Sequence, residues 1–338
     1  MRPTSSRDTS KEGSALIVTL WVLIILSLLV GSFAFDMYIE SGITSYYRKR
    51  LKAQYLARAG VEYAKNMLEQ SFKADAKETP PSGGEDAWVR SVNLSRGMGV
   101  SLDHSLGDGK FLLEILPEQG RRNVNTLTDE DWEEVLDQGG VPQEMWPELI
   151  DCFHDWTDDN DEHQLNGAES DDSFYEQRGY ECKNAPLDTV DELLLIKGFT
   201  PEIVYGGTTK DGETFSGIAA LLTTWGDGKV NVNTASREVL LTIPGLEEFD
   251  VDDIIEGRKG TDQTEGTKDD GFESVDDVIG KLGVTDASVR DKLTVTERRF
   301  VRVISKGEVQ NVRSGIWCIL QAEESGVTPL FWREEDMP

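Results

Sequence analysis

The segment from His154 to Gln177, HDWTDDNDEHQLNGAESDDSFYEQ, holds the densest group of oxygen-bearing side chains in the chain. Calcium typically takes about six to eight oxygen ligands from a flexible loop, and carboxylates and amides supply them. Gly167 would permit a sharp turn within such a loop. These residue types predict a structural calcium site, and the oxygen-bearing side chains are those of Asp155, Asp158, Asp159, Asn160, Asp161, Glu169, Asp171 and Asp172.

The match to a known calcium loop is partial. Counted from Asp158, the stretch DDNDEHQLNGAE lacks the glycine that an EF-hand has at its sixth position, although Glu169 occupies the twelfth. A solvated acidic surface stays open as an alternative. So does a transition metal held by His154 and His163 with nearby carboxylates, but the sequence has no H-x-x-x-H or H-E-x-x-H spacing to favour it.

A second acidic run, GTDQTEGTKDDGFESVDD at 260–277, allows two interpretations. It could form another calcium loop, or it could be an insertion between two helices, which we favour. The sequence gives it no defined ligand spacing.

The charge of the chain limits its function. A net charge of −29 and a pI near 4.4 argue against a general role on nucleic acid, because the phosphates would repel such a surface. The only histidines are His104, His154 and His163, and no Ser-His-Asp or Cys-His arrangement can be assigned with them. We therefore predict that the protein is not an enzyme.

The chain has three cysteines, Cys152, Cys182 and Cys318, and no CxxC motif, which argues against a thiolate zinc site. If the body of the protein is exported, Cys152 and Cys182 could form a disulfide across the acidic segment and leave Cys318 alone. The spacing leaves this pairing open.

The N-terminal region contains an apolar segment with no charged residue from Ser14 to Phe35. At about 1.5 Å per residue, a helix of this length spans roughly 33 Å, which is enough to cross a bilayer core. The slight basic excess of the preceding MRPTSSRDTSKEG predicts a cytoplasmic start, with most of the chain on the other side of the membrane.

The helical pattern continues beyond this apolar segment. Residues 38–70 contain no proline and have apolar side chains at helical spacing, so one helix of roughly fifty residues is predicted, half in lipid and half packed on a domain. Three explanations are open for its start: a signal peptide cut near residues 32–34, a plain single-span anchor, or a leader cut after Gly13. The last pattern resembles a type IV prepilin leader, in which the new N-terminus, here Ser14, is methylated.

Strands are predicted on both sides of a mostly helical middle region. The stretch GVSLDHSLGDGKFLLEILPE at 99–118 has the pattern of a hairpin whose turn lies at GDGK. Residues 298–324 predict a second strand pair, and PLFWREE predicts a short final strand.

Two stretches of the middle region, at 189–204 and 234–260, resemble helix-hairpin-helix units. Hairpins of this type that bind DNA usually have a second glycine two positions after the first, and this glycine is absent after both Gly198 and Gly245. The acidic neighbours of Gly245 would also repel phosphate. The tetrapeptide NVNT occurs at 123 and again at 231, each time before a predicted helix that its Asn or Thr could cap. We predict that these units serve packing rather than DNA contact.

Taken together, these features resemble type II secretion minor pseudopilin K over nearly the whole chain. The residues that carry the resemblance are the leader at Gly13, Val18 in place of the glutamate most pilin-like proteins have at the fifth mature position, residues 155–175, 184–199 and 230–240, and the terminal FWREE.

The resemblance implies an α+β fold. A long N-terminal helix, with a transmembrane half and an amphipathic half, would lie on a pilin-like antiparallel sheet. A large, mostly helical domain with helix-hairpin-helix-like units would be inserted between strands. The implied boundaries are a leader at 1–13, the helix at 14–72, the sheet at 87–122 and 298–334, and the inserted domain at 123–297.

The implied function is that of a non-enzymatic minor pseudopilin at the tip of the type II secretion pseudopilus, which initiates or caps assembly and supports export of folded proteins through the outer membrane. Its partners would be minor pseudopilins I and J, the major pseudopilin, the inner-membrane assembly platform, the prepilin peptidase and, through residues 14–35, membrane lipid, but no nucleic acid.

The chain would span the inner membrane of a Gram-negative bacterium once, with its C-terminal body in the periplasm. A structural Ca²⁺ would be held by Asp155, Asp158, Asn160, Asp161, Glu169 and Asp172. The alternative is a membrane-anchored helix-hairpin-helix DNA-binding protein of a competence system.

Overall fold

The computed structural model describes residues 9–73, 85–210, 212–264, 267, 269–283, 287–295 and 299–337. Its helices are α1 (Thr9–Lys73), α2 (Glu85–Ser95), α3 (Asp129–Gln138), α4 (Trp146–Thr157), α5 (Ser173–Arg178), α6 (Pro201–Tyr205), α7 (Arg237–Leu241), α8 (Glu248–Gly257), α9 (Val275–Leu282) and α10 (Ala287–Asp291). Its strands are β1 (Val100–Leu106), β2 (Gly109–Pro117), β3 (Arg122–Asn123), β4 (Gly207–Thr208), β5 (Thr214–Phe215), β6 (Leu222–Thr223), β7 (Val230–Asn231), β8 (Leu293–Thr294), β9 (Phe300–Val309), β10 (Val312–Glu323) and β11 (Gly326–Met337).

Helix α1 is one continuous helix whose two halves differ in burial. Its first half exposes an apolar surface, whereas its second half packs on the sheet through a stripe at helical spacing. Small side chains let the helix approach β9 closely: a Cβ built on Gly307 would lie 2.0 Å from the carbonyl oxygen of Ala53. The buried stripe consists of Ala53, Leu56, Ala57, Val61, Ala64 and Leu68.

The main sheet has five antiparallel strands in the order β1-β2-β9-β10-β11. Strand β9 alternates buried and half-buried residues, and its buried Val301 and Val303 belong to the same apolar cluster as α1. Because Pro117 at the end of β2 pairs with Val301 at the start of β9, the chain leaves and re-enters the sheet at one place.

The chain between β2 and β9 forms a separate domain with its own core. Its helices and strand pairs are short, with the two-residue strands pairing as β3 with β6, β4 with β5 and β7 with β8. The domain is held together by a large apolar cluster in which Trp132 and Leu136 of α3 meet Leu149 and Phe153 of α4. The rings of Trp132 and Phe153 lie 4.8 Å apart.

The predicted fold class is confirmed: a long helix, an antiparallel sheet and a helical domain between its strands. The first hairpin is present, with β1 paired to β2 and Gly107 in the turn at φ 66°. The domain boundaries themselves stay a prediction. Within the range 87–122 assigned to the sheet, the chain forms α2 first, because Val92 and Leu94 are buried there.

The final strand is longer than predicted. Strand β11 runs over Gly326–Met337 and pairs with β10 along almost its full length. The polar stretch REED gives no alternating apolar signal, but an edge strand tolerates charged residues because its outer side faces solvent.

The two helix-hairpin-helix-like stretches each contain a helical segment, a glycine and a second helical segment. The first stretch begins with a 3-10 helix at Val190–Leu195 rather than an α-helix, and Gly198 follows at φ 91°. In the second, Gly245 lies between α7 and α8, also at φ 91°. Assignment of either stretch to the true motif stays a prediction.

Candidate metal-binding loop

The predicted calcium loop connects α4 to α5 and is attached to the end of α4. Helix α4 ends at Asp158, whose backbone is extended and whose N–H donates to the carbonyl of His154 at 2.9 Å. Asp155 lies in the last turn of the helix and is completely buried. Its two carboxylate oxygens accept the N–H of Gln164 at 3.0 and 3.3 Å, so the loop folds back over this side chain.

Gly167 is needed for a close contact with Asp155. A Cβ at this position would lie 2.0 Å from Oδ2 of Asp155, so a larger residue would displace the carboxylate. Gly167 ends a tight turn, in which its N–H donates to the carbonyl of Gln164 at 3.1 Å. Its φ is not left-handed, so the contact with Asp155, and not the backbone conformation, is what requires glycine here.

Glu169 is the most unusual residue of the loop. Glu169 is only 2% exposed, and neither of its carboxylate oxygens has a hydrogen-bond partner among the described residues. Burial raises the pKa of Glu169, and the negative charges of Asp155, Asp158 and Asp161 raise it further. A buried, unpaired carboxylate destabilises a fold unless a cation or a proton compensates it.

Asp155 belongs to the same group of carboxylates. Burial raises its pKa, and the N–H of Gln164 partly opposes this effect, while the charge of Asp158 adds to it. Asp155 and Glu169 therefore both resist ionisation in the absence of a cation, and each is affected by its acidic neighbours.

The remaining predicted ligands shape the loop. The N–H of Asn160 donates to Oδ1 of Asp158 at 3.2 Å, and the N–H of Glu162 donates to Oδ1 of Asn160 at 2.7 Å. Asp161 accepts the side-chain amide of Asn184 at 3.1 Å. These local turns keep the oxygen-bearing side chains of Asp158, Asn160 and Asp161 close together on one short stretch of chain.

Asp172 has other partners. It caps α5 by accepting the N–H of Phe174 at 2.7 Å, and its second oxygen forms an ion pair with Lys197 at 2.9 Å. The N–H of Phe174 and then Lys197 hold the pKa of Asp172 below its usual value. Both oxygens are thus used in the protein itself, and a role of Asp172 as a metal ligand stays a prediction.

The donor set fits calcium. Asp158, Asn160, Asp161 and Glu169 of the loop, with Asp155 from the last turn of α4, offer carboxylate and amide oxygens, as Ca²⁺ prefers. The two histidines that the transition-metal alternative would use lie apart in separate ion pairs. His154 pairs with Asp129 at 2.8 Å, and His163 pairs with Asp171 at 2.7 Å. The residues best suited to hold an ion are Asp155 and Glu169, which are buried.

A tighter group of carboxylates lies in the second acidic run. Within the described part of the chain, Asp262, Asp269 and Asp270 are the group whose oxygens all lie within 4.8 Å of one another, a spacing the first loop does not meet. Hydroxyl groups of Thr261 and Thr267 donate to Asp269 at 2.7 and 2.8 Å. The sequence indicated the run but gave no signal that selects these three residues.

The two cysteines near the loop are free thiols in the structure. The thiol of Cys152 is 3.7 Å from the carbonyl of Asn166, and that of Cys182 is 3.6 Å from the carbonyl of Ala168. Burial raises the pKa of Cys152 to about 12 and that of Cys182 to about 11. The disulfide between them stays a prediction.

The membrane segment is the other candidate functional element. Among the described residues, one helix is long and apolar enough to cross a membrane, and the candidate span is Ala15–Ser71 of α1. Its most apolar segment has a mean hydropathy of 2.7, and none of the residues of that segment is buried. Residues 1–8 of the predicted leader lie outside the described residues. The predicted cleavage position, Gly13 and Ser14, falls within α1.

Comparisons with known proteins agree with this fold. Residues 109–205 match the family model described as "Type II secretion system (T2SS), protein K". A chain in the crystal structure of the GspK-GspI-GspJ complex from the type 2 secretion system of enterotoxigenic Escherichia coli is similar in fold, with a TM-score of 0.61 and 14% identity. The match covers 87% of this chain and 99% of that chain. No curated protein sequence matches.

The chain is therefore similar to protein K of the type II secretion system, in sequence over residues 109–205 and in fold over most of its length. The predicted resemblance to type II secretion minor pseudopilin K is confirmed, and the comparisons support a minor pseudopilin component of that system. Neither comparison supports the competence alternative.

Proposed function

We propose that the protein acts at the tip of the type II secretion pseudopilus, where it initiates or caps assembly and supports export of folded proteins through the outer membrane. The observation that carries this proposal is the combination of an exposed apolar helix with a helical domain inserted between β2 and β9. The similar chain belongs to a GspK-GspI-GspJ complex, which favours minor pseudopilins I and J as partners.

The first half of α1 supplies the surface for assembly. Its apolar side chains from Leu16 to Phe35 are at least two-fifths exposed in the isolated chain, and Tyr46, Leu51 and Tyr55 continue the exposed surface toward the sheet. Each square ångström of apolar surface removed from water contributes about 25 cal/mol. Lipid would cover the first part of this surface, and the helices of I, J and the major pseudopilin would cover the rest.

The inserted domain explains a position at the tip. It extends from the end of β2 and returns at β9, so it adds bulk at one end of the sheet. A further subunit stacked beyond it would collide with this bulk. The protein would therefore start or end the filament and not repeat within it.

Leader processing follows from the same proposal. The prepilin peptidase would cut after Gly13, Ser14 would be methylated, and the body would lie in the periplasm with one span in the inner membrane and its N-terminus toward the assembly platform. Val18 would leave the first turns of the mature helix without the glutamate of repeating subunits.

The acidic loop would hold a structural calcium ion, and no enzymatic reaction is assigned to it. The orphaned Glu169 carboxylate supports this site, because a divalent cation would supply the partner that the protein does not. A bound Ca²⁺ would compensate the negative charges of Glu169 and Asp155. Through these two ligands the loop would be held against the end of α4.

The mass of the mature N-terminal peptide, from protein taken out of its native membrane, tests the proposal. A start at N-methylated Ser14 is expected, and Gly13→Val should block processing while Ser10→Ala, its matched control within the leader, should not. A start near Phe35, or an intact Met1, would contradict the pseudopilin assignment.

The partners can be tested on the same membranes. Mild detergent extracts of the full chain should contain minor pseudopilins I and J in a stoichiometric complex, and loss of the chain should reduce secretion. Recovery of the chain without either partner would refute the tip complex. A filter-binding assay at moderate salt should retain no DNA, and retention would favour the competence alternative.

A further inference from the structure

A cleft of about 340 Å³ lies where the inserted domain meets the sheet. It opens on the face of the sheet opposite α1, so it is separate from the helical surface used in assembly. Clefts of this volume at domain junctions, with aromatic walls and a few polar groups, are typical of ligand sites. Neither the calcium loop nor the membrane helix contributes to it.

The floor of the cleft is aromatic. Trp317 of β10 and Phe331 of β11 contact edge to face, with their ring centroids 4.7 Å apart. Trp225 of the inserted domain lines the cleft from the other side, and its ring lies 5.8 Å from that of Phe300. Such walls favour an apolar side chain.

Arg121 gives the cleft an uncompensated positive charge. Its guanidinium makes no hydrogen bond or ion pair with any described residue. Burial, together with the charge of Arg302, lowers the pKa of Arg121 to about 10. Arg302 is itself neutralised, since it binds both oxygens of Glu118 at 2.5 and 3.1 Å.

None of the acidic side chains that line the cleft forms an ion pair with Arg121 in the described structure, and each has a partner elsewhere. Asp188 pairs with Lys183 at 2.7 Å and Asp191 accepts the hydroxyl of Tyr205 at 2.9 Å. Glu335 pairs with Arg333 at 3.2 Å. In a chain of net charge −29, a half-buried arginine without a partner in the described structure favours an external carboxylate.

The edge of the sheet favours a peptide as the source of that carboxylate. Strand β11 is the last strand in the order of the described sheet, so one side of it has no neighbouring strand there. An extended peptide can add to such an edge through main-chain hydrogen bonds. Its side chains at i and i+2 would then point to the same face, toward the cleft.

We propose that this cleft binds an extended polypeptide segment in which a carboxylate side chain, two positions from an aromatic one, meets Arg121 while the aromatic group packs on Trp317 and Phe331. The proposal does not depend on the tip function, since it concerns a surface of the chain by itself.

The test uses the full chain in detergent, labelled with ¹⁵N-arginine and titrated with Ac-Thr-Glu-Thr-Phe-Thr-NH₂. We expect a saturable shift of the Arg121 Nε–H resonance, identified by its loss in Arg121→Lys. The matched peptide with glutamine in place of glutamate should bind at least about tenfold more weakly, because a charge-assisted hydrogen bond is lost.

The variants separate charge from fold. Arg121→Gln should bind the glutamate peptide no better than the wild type binds the glutamine peptide, and Arg121→Lys should retain part of the affinity. Arg313→Gln is the control, because Arg313 is an exposed arginine on β10 outside the cleft, and it should leave binding unchanged.

Equal affinity for the two peptides would overturn the role of Arg121, and this comparison needs no variant, so it holds even if Arg121→Gln fails to fold. Equal binding of 3-phenylpropionate and the glutamate peptide would overturn the assignment to a polypeptide. Unchanged affinity in a folded Arg121→Gln would also overturn the proposal.

Discussion

Replacing Glu169 with glutamine should change stability in opposite directions with and without calcium. Without the metal, the wild-type protein buries a carboxylate that has no hydrogen-bond partner among the described residues. Glutamine keeps the shape and removes the charge. In the presence of calcium the same substitution removes a proposed ligand.

The size of the metal-free effect follows from the cost of burying a charged group. An unsatisfied buried polar group costs roughly 1–3 kcal/mol, and a charged one costs more. The amide still lacks a partner, so we expect a net gain of about 1–2 kcal/mol. Because 1 kcal/mol changes Tm by about 2–4 °C in a folded unit of this size, Tm should rise by roughly 2–8 °C.

The pH dependence has a definite sign. Burial raises the pKa of Glu169 in the folded state, so the folded protein binds more protons than the unfolded protein once the pH exceeds about 4.3. In EGTA, the contribution of Glu169 to the free energy of unfolding therefore decreases as the pH rises from about 4.3 through the raised pKa of the folded state. The Glu169→Gln variant should lack this pH-dependent decrease in stability.

Calcium should reverse the order of the two proteins. A ligand at one hundred times its Kd stabilises the form that binds it by about 2.7 kcal/mol. The wild type should gain this stabilisation, whereas Glu169→Gln should gain less than about a quarter of it, which is too little to keep its lead of about 1–2 kcal/mol. Thermal unfolding of the full chain in detergent, followed by near-UV circular dichroism in EGTA and in 5 mM CaCl₂ (about the level used to saturate such sites), measures both effects.

Glu162→Gln is the matched control, because Glu162 lies in the same loop but is exposed. It should change Tm little in either buffer. A destabilised Glu169→Gln in EGTA, or the same calcium response in both variants and the wild type, would refute the reasoning that the orphaned carboxylate marks the ion site.

Three further results are expected. Gly167→Ala should cost about 1–3 kcal/mol, since its Cβ would lie 2.0 Å from Asp155, and calorimetry should also record a weaker calcium response. Burial opposes ionisation of Asp131, but its ion pairs with Lys292 and Arg122 outweigh burial and lower its pKa to about 2. Its contribution to stability is therefore present above pH ~4 and is lost as the pH falls toward 2. Asp131→Asn should destabilise by about 3–5 kcal/mol at pH 7 in urea unfolding, with a flatter acid profile, and equal profiles would contradict this. Gly307→Ala should separate α1 from the sheet at Ala53, so limited proteolysis should cut the second half of α1 faster than in the wild type, and an unchanged pattern would contradict the packing described above.

Patterns with a regular period were the most informative part of the sequence. The uncharged segment and the proline-free stretch after it predicted α1, and the turn at GDGK predicted the β1–β2 hairpin. The predicted final strand PLFWREE fell short of β11 at both ends, by residues 326–328 and 336–337, because an edge strand at the surface needs no apolar alternation. The helix α2 was also missed, because its 11 residues are the fewest over which a helical period can be recognised.

The candidate site was predicted only in its composition. The acidic residues identified the loop, but their sequence did not distinguish Glu169, which is buried without a partner, from Asp172, which is paired with Lys197. That difference depends on Lys197, which lies far along the chain and reaches the loop only in the folded domain. Arg121 gave no signal either, because the cleft around it is formed by β10 and β11, far from it in sequence.

The insertion between β2 and β9 has a consequence for the order of folding. The pairing of Pro117 with Val301 closes a loop that contains residues 118–300. A long disordered loop is entropically costly to close, although each doubling of its length adds only about 0.6 kcal/mol. If the inserted domain folds first, its own core brings the two strand ends together, and the long loop becomes a short bridge. The sheet under α1 would then be completed last, after the C-terminal strands have emerged, and the assembly surface would mature only when the inserted domain is already folded.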